Sequence, residues 1–304
     1  MTRIGFIGAG RLGAHLAGSL LQGGHELTEH DSTPSAAKPL LELGAAWGAS
    51  PREIGEQCEI AFTCLPSPAA VASVVSGENG LLEGLAPGST WIDMSTNDRH
   101  ELERLAGLAA AAGVDCLEAP VTGGVHKAAA GDITVLVGGD PEVFEAHRPL
   151  FELMGGEIFY IGPLGSASVI KVITNMLAFI HLVATGEALM LARMAGLDLA
   201  QSYRVIEASS GTSFVHETEG QLILNGSYDI GFTLDLACKD LGLAHDLGRE
   251  FRSPLELATL VEQTFLRARE RYGGSAQSPM VVKLLEDDLG VDLRAEGFPA
   301  RLEP

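Results

Sequence analysis

The chain has 304 residues, 46% of them hydrophobic, and a formal net charge of −20. That length and apolar content suit two domains or one large one with a substantial core, and they exclude a disordered chain. The acidity, with an isoelectric point near 4.7, argues against a nucleic-acid or anionic-membrane partner, so any anion bound here must meet a local cluster of donors.

The opening residues, "MTRIGFIGAG", enter a strand and a glycine turn at once. They leave no room for a signal or transit segment, and a cytoplasmic protein is expected. Through the first half, short β-branched runs alternate with alanine- and leucine-rich segments, the pattern of parallel strands with crossover helices. Predicted strands cover 3–7, 26–30, 60–65, 90–94, 114–118, 133–138 and 157–161. Cys58, Cys64, Cys116 and Cys238 form no CxxC pair and have no metal-site spacing, so they are read as buried thiols in a reducing compartment.

After the first strand, Gly8, Gly10 and Gly13 follow the G-x-G-x-x-G spacing and open a helix. In a dinucleotide site Gly8 would allow the tight turn, Gly10 the approach of a pyrophosphate, and Gly13 close helix-to-strand packing. Arg11 and Leu12 lie within the same loop and are assigned to the cofactor with the glycines. Asp31, 18 residues beyond Gly13, ends the second strand, where a carboxylate accepts from the ribose hydroxyls. Ser32 follows it and offers no cation for a 2′-phosphate, so NAD is favoured over NADP. A turn cap formed with Ser32, Thr33 and Pro34 is the other role for Asp31, and both can hold at once. Glu29 and His30 are unusual polar residues at the end of a presumed buried strand. Two further strand ends are expected at the cofactor, one with Leu65 and Pro66, the other with Ser95 and Thr96.

The segment "EAPVTGG" follows the fifth predicted strand. The amides of Gly123 and Gly124 and the hydroxyl of Thr122 make a donor cluster suited to a carboxylate.

Beyond "IGPLG" the strand signals stop. Helices are predicted over 166–194, 198–208, 213–224, 233–250, 254–271 and 278–287, and the domain division is set at 1–164 and 165–304. The first of these helices would be on the order of 40 Å long, enough to join two domains. It is uncharged only from Val172 to Gly186, short of the ~20 residues a bilayer needs, and is read as a buried helix. Lys171 and Asn175 lie four residues apart on it, hence on one face. The tail "RAEGFPARLEP" has little apolar periodicity and is predicted to be loosely held.

The order GAGRLG, DMST, EAPVTGG, Lys171 with Asn175, and "FTLDLACKDLGLA" resembles the β-hydroxyacid dehydrogenase family over about residues 3–290. The resemblance implies a Rossmann-type N-terminal domain and an all-α C-terminal domain joined by a long helix. It implies that Lys171 is the general acid and base and that Asn175 holds substrate and lysine. It implies that Thr122, Gly123 and Gly124 bind the substrate carboxylate, that Phe232 lines the pocket, and that Lys239 closes over the cofactor. The implied reaction is hydride transfer between NAD and a small 3-hydroxy acid, 3-hydroxyisobutyrate-like, or its semialdehyde. Tartronate or succinic semialdehyde reductases and L-serine dehydrogenases are the alternatives within the family, and no metal is implied.

Several positions depart from the family pattern: Ala167 where a glycine is common, Thr122 where serine is frequent, and Gln277 where an acid is usual. Phe214, His216 and Glu217 are candidate pocket residues, with His216 read as packed or solvated rather than as a base. A reductase of carbon–nitrogen double bonds on this scaffold would lack the lysine, and a silent dinucleotide-binding scaffold would not keep Lys171, Asn175 and Thr122. A homodimer or homotetramer is expected, because one domain cannot cover so long an apolar helix.

Overall fold

The computed structural model describes residues 2–303, and the chain forms two compact units. The first ends at Lys171 and the second runs from Val172 to Glu303.

The strands of the first unit are β1 (Arg3–Ile7), β2 (Glu26–His30), β3 (Ala46–Trp47), β4 (Ile60–Thr63) and β5 (Thr90–Asp93). They continue with β6 (Asp115–Glu118), β7 (Val121–Thr122), β8 (Ile133–Gly139) and β9 (Gly155–Gly162). Its helices are α1 (Gly13–Gln22), α2 (Lys38–Glu42), α3 (Pro51–Gln57), α4 (Pro68–Ser76) and α5 (Leu81–Gly84). Then come α6 (Arg99–Ala111), α7 (Val125–Ala129) and α8 (Pro141–Met154).

Among the described residues the sheet runs β3-β2-β1-β4-β5-β6-β8-β7, with β9 on β8. The sheet is parallel from β3 to β6, as the alternating pattern predicts. Alternate strand residues face two cores. Ile4, Phe6, Phe62 and Ile92 pack on one face with Leu16, Phe144 and Phe151 of α1 and α8. Ile7, Ala61 and Trp91 pack on the other with Val71, Leu102 and Leu105 of α4 and α6. Both faces are covered, which is why these strands read as continuous apolar runs.

Two features depart from the expectation. β3 and β7, each two residues long, are too short to leave a periodic signal. β8 pairs antiparallel with both β6 and β7, in one register, with Leu117 opposite Gly139 and Thr122 opposite Thr134. β6 and β7 therefore lie in one line along β8, the chain turns back only after Thr122, and the turn at 123–124 lies at the end of that arm.

The helix α9 (Ser166–Met194) holds the predicted bounds and begins in the first unit. Its most apolar 18-residue window has a mean hydropathy of 1.8, so by length and composition it could cross a membrane. In the second unit it buries Phe179, Leu182, Leu189 and Met190 in a protein core.

That unit continues with α10 (Leu199–Glu207), α11 (Phe214–Glu217), α12 (Glu219–Asn225), α13 (Leu234–Glu250), α14 (Glu256–Tyr272) and α15 (Met280–Leu289). The single helix predicted over 213–224 is broken at Thr218, whose hydroxyl donates to the Phe214 carbonyl at 2.7 Å and whose φ and ψ are −104° and −77°. A threonine that bonds its own preceding turn competes with the helix ladder.

The tail corrects the sequence reading, because it is tied down at several points. Arg294 donates to the buried Glu286 at 2.7 Å and to the Tyr228 hydroxyl at 3.0 Å. The Ala295 amide donates to the Leu224 carbonyl at 3.0 Å, and Phe298 meets the Tyr203 ring edge-on at 5.0 Å. Periodicity was the wrong signal there, since the holding groups are an ion pair, a backbone hydrogen bond and one isolated aromatic anchor.

Candidate active site

The glycine loop after β1 behaves as its spacing predicts. Gly8 has φ +112°, and a Cβ on it would meet the Cys64 carbonyl oxygen at 2.4 Å. A Cβ on Gly13 would lie 2.0 Å from the Gly8 carbonyl oxygen, so α1 packs here only with glycine. A Cβ on Gly10 would meet nothing within 4 Å. The space above Gly10 is open at the N-terminus of α1, where unpaired amides and the positive dipole end suit a phosphate. Arg11 is exposed and Leu12 half-buried beside this opening.

Asp31 holds the loop from β2. One carboxylate oxygen accepts from the Ala9 amide at 2.8 Å and the other from the Thr33 amide at 2.7 Å. The cap role of Asp31 is thus present, and each oxygen keeps a further lone pair for a ribose hydroxyl. Glu29, two residues earlier, is fully buried, and neither of its oxygens has a partner among the described residues. Burial, and then the charge of Asp31, push its carboxyl up to about 9. His30 bonds the Gly48 carbonyl through Nδ1 at 2.9 Å.

The loops after β4 and β5 are joined, because the Leu65 amide donates to the Ser95 hydroxyl at 2.9 Å. Behind them lies a residue that the sequence reading missed. Asp93, 1% exposed, accepts from the Thr63 hydroxyl at 2.8 Å and the Asn97 amide at 2.8 Å. The Trp91 indole donates to the same threonine at 3.0 Å. This network fixes the loops bearing Leu65, Pro66 and Thr96. An aspartate directly after the apolar pair Trp91 and Ile92 of a buried strand was the available signal. Burial raises the Cys64 thiol nearby to about 12, so it is held as a neutral thiol.

At the end of the β6–β7 arm, Gly123 and Gly124 have φ of +125° and +90°, values that side chains resist. Thr122 is half-buried beside them. Glu118, at the end of β6 and 1% exposed, turns to the first turn of α9. It accepts from the Ala167 amide at 2.8 Å, the Ser168 amide at 2.9 Å and the Ser168 hydroxyl at 2.5 Å. Burial pushes this carboxyl up from its ordinary range, and the surrounding donors oppose the shift. Lys171 follows one turn along α9 and is 7% exposed.

In the second unit, Asn175 donates to Asp240 at 2.6 Å, and Lys239 lies 2.7 Å from the other oxygen of the same carboxylate. Asp240 is fully buried and joins two residues that the sequence reading singled out separately. Phe232 lies against Phe179, the two rings tilted with centroids 6.0 Å apart. Gln277 accepts from the Gly231 amide at 2.8 Å, while the Ser278 amide donates to the Phe232 carbonyl at 2.8 Å, so the position of the departure braces the segment that carries Phe232. His216 is 1% exposed, stacks on Tyr203 at 4.6 Å and bonds its carbonyl at 3.0 Å, a packed histidine. Phe214 is 48% exposed, and Glu217 accepts from the Thr212 hydroxyl at 2.9 Å.

Comparison with known proteins places the chain in a family. Residues 3–162 match the family model described as the NAD binding domain of 6-phosphogluconate dehydrogenase. Residues 165–285 match the one described as NAD-binding of NADP-dependent 3-hydroxyisobutyrate dehydrogenase. The chain belongs to the β-hydroxyacid dehydrogenase family. Its relatives include 2-(hydroxymethyl)glutarate dehydrogenase of Eubacterium barkeri, 32% identical over 96% of this chain and 97% of that protein. The mitochondrial 3-hydroxyisobutyrate dehydrogenase of Mus musculus is 34% identical over 87% of this chain and 81% of its own. A crystal structure of 3-hydroxyisobutyrate dehydrogenase from Salmonella typhimurium is 30% identical, with a TM-score of 0.87 over 93% of this chain and all of that one. As a β-hydroxyacid dehydrogenase, the chain is a dinucleotide-dependent oxidoreductase acting on CH–OH groups.

Proposed function

We propose that the protein transfers hydride between NAD and a small 3-hydroxy acid of the 3-hydroxyisobutyrate type, or the matching semialdehyde. The observation that carries the reading is a buried lysine, Lys171, one turn beyond a helix start that Glu118 ties to the arm ending in Thr122, Gly123 and Gly124. The open space over Gly10 and the carboxylate of Asp31 fit a dinucleotide. Gly8, Gly10, Arg11, Leu12, Gly13, Asp31, Leu65, Pro66, Thr96 and Lys239 are assigned to holding it. When bound, it accepts or supplies the hydride. The carboxylate at β2 and the absence of a cation at Ser32 or Thr33 favour NAD over NADP.

The Thr122 hydroxyl and the amides of Gly123 and Gly124 donate to the substrate carboxylate. Lys171 takes the proton from the substrate hydroxyl oxygen in oxidation and returns it to the developing alkoxide in reduction, where its charge also stabilises that oxygen. Asn175, its amide set by Asp240, holds the substrate, and Phe232 lines the pocket. The expected domains, 1–164 for the cofactor and 165–304 for substrate and assembly, are kept as the reading, with Thr122, Gly123 and Gly124 assigned to the substrate and Lys239 to the cofactor. The protein is assigned to the cytoplasm, without nucleic-acid or membrane partners. Exposed Leu191, Met194, Leu197 and Val205, each above half exposed, support a homodimer or homotetramer.

A turnover screen across 3-hydroxy acids and their semialdehydes, with NAD and NADP, tests the substrate and cofactor together. Lys171→Ala should lower turnover at least a hundredfold, and survival within tenfold of the native rate overturns the role of the lysine.

A further inference from the structure

The first amides of a helix have no partner within it, and a side chain just before the helix ordinarily supplies one. At α9 that position is Gly165, with φ +91° and no side chain. The cap comes instead from Glu118, 49 residues away from Ala167 in sequence. Its two oxygens take consecutive amides, those of Ala167 and Ser168, and one oxygen takes the Ser168 hydroxyl as well. The Gly165 amide adds a further donor.

A fork on two consecutive amides fixes the helix more tightly than a single bond. Slipping α9 by one residue would move it about 1.5 Å along its axis and turn it by about 100°, breaking every one of these contacts. Lys171 lies three residues beyond Ser168 and four beyond Ala167, on the face that the fork determines. The seat for the carboxyl is cut into the sheet, since a Cβ on Gly138, the partner of Glu118 on β8, would lie 2.3 Å from the Glu118 oxygen. The same strand continues through Ala119 and Pro120 into Val121 and Thr122.

We infer that Glu118 is a positioning residue, which locks the first turn of α9 to the strand leading into the Thr122–Gly124 turn and so sets where the Lys171 ammonium stands relative to the substrate anion. The inference rests on the reading of Lys171 as the proton carrier. Glu118 touches neither substrate nor cofactor in this role. Its effect falls on the rate of proton transfer, because a displacement of about 1 Å in a reacting group can cost on the order of a hundredfold.

The test uses the full chain with NAD and 3-hydroxyisobutyrate as the probe substrate. Glu118→Gln presents an amide NH2 to a fork of donors, and kcat should fall about thirtyfold, with KM within threefold and the Kd of NAD within twofold. The limb of the kcat profile that reports the essential base should also move in pH. In a Lys171→Ala background the same substitution should change the residual rate less than twofold, because groups that act as a unit are not additive. Ser168→Ala, which deletes one donor and leaves the fold intact, should lower kcat about threefold at unchanged Tm, and it carries the test if Glu118→Gln does not fold. An unchanged kcat in these variants, or an equal loss with and without Lys171, overturns the positioning role alone. If Lys171→Ala itself keeps turnover within tenfold, the catalytic reading fails, and the positioning role falls with it.

Discussion

Glu29 and Glu118 stand on the same sheet, both buried, and they have opposite surroundings. Glu29 on β2 has Phe6 and Trp47 as its cross-strand neighbours and no hydrogen-bond partner for either oxygen among the described residues. Its carboxyl is pushed up to about 9, by burial first, and it is held as the neutral acid. Glu118 on β6 is as deeply buried, yet the start of α9 surrounds it with amides and a hydroxyl, all of which donate and therefore suit a carboxylate. Burial raises both carboxyls, and only at Glu118 do donors oppose the shift, because a helix start offers unpaired amides.

The comparison can be broken most forcefully at Gly138. Gly138→Ala places a methyl against the Glu118 carboxyl and drives it from its donors. A loss of about 3–5 kcal/mol in urea unfolding is expected, along with a drop in turnover, because several buried polar groups lose their partners together. A loss below about 1 kcal/mol would mean that the carboxyl has room to retreat.

Glu29→Gln probes the opposite case. A carboxyl whose folded value lies near 9 and whose ordinary value is 4.5 keeps its proton longer in the native state than in the unfolded one. Its contribution is therefore fully present below about pH 4.5 and is lost as pH rises toward 9. The neutral amide removes that loss, so the variant should be more stable than the native protein by about 2–3 kcal/mol at pH 7 and should flatten the decline of stability between pH 5 and about 9. Equal stability at pH 7 would place donors around Glu29 after all.

The smallest effect is expected at Asp31, which is partly exposed and has both loop and ligand work. Asp31→Asn should weaken NAD binding about tenfold, about 1.4 kcal/mol by calorimetric titration, while leaving kcat at saturating NAD within twofold. An unchanged Kd would confine Asp31 to its bonds with Ala9 and Thr33.

Much of the fold was legible because it is local. β1, β2 and α9 hold the predicted bounds, Gly8 and Gly13 are sterically required as their spacing implies, and the space over Gly10 is open. The failures have separate causes. β3 and β7 are too short for periodicity, α11 and α12 part where a threonine bonds its own turn, and the tail is held by Arg294 against a glutamate buried in α15.

By itself the sequence determined the family, the glycine cradle with Asp31 at the next strand end, and the single face of α9 shared by Lys171 and Asn175. These follow from spacings of a few residues, which strand and helix geometry translate directly into position. Tertiary structure alone decided which carboxyl holds which donor. Asp93 reaches Thr63 across 30 residues, Glu118 reaches Ala167 across 49 and Asp240 reaches Asn175 across 65. A hydrogen bond depends on separation in space, and at such distances along the chain no periodicity carries it.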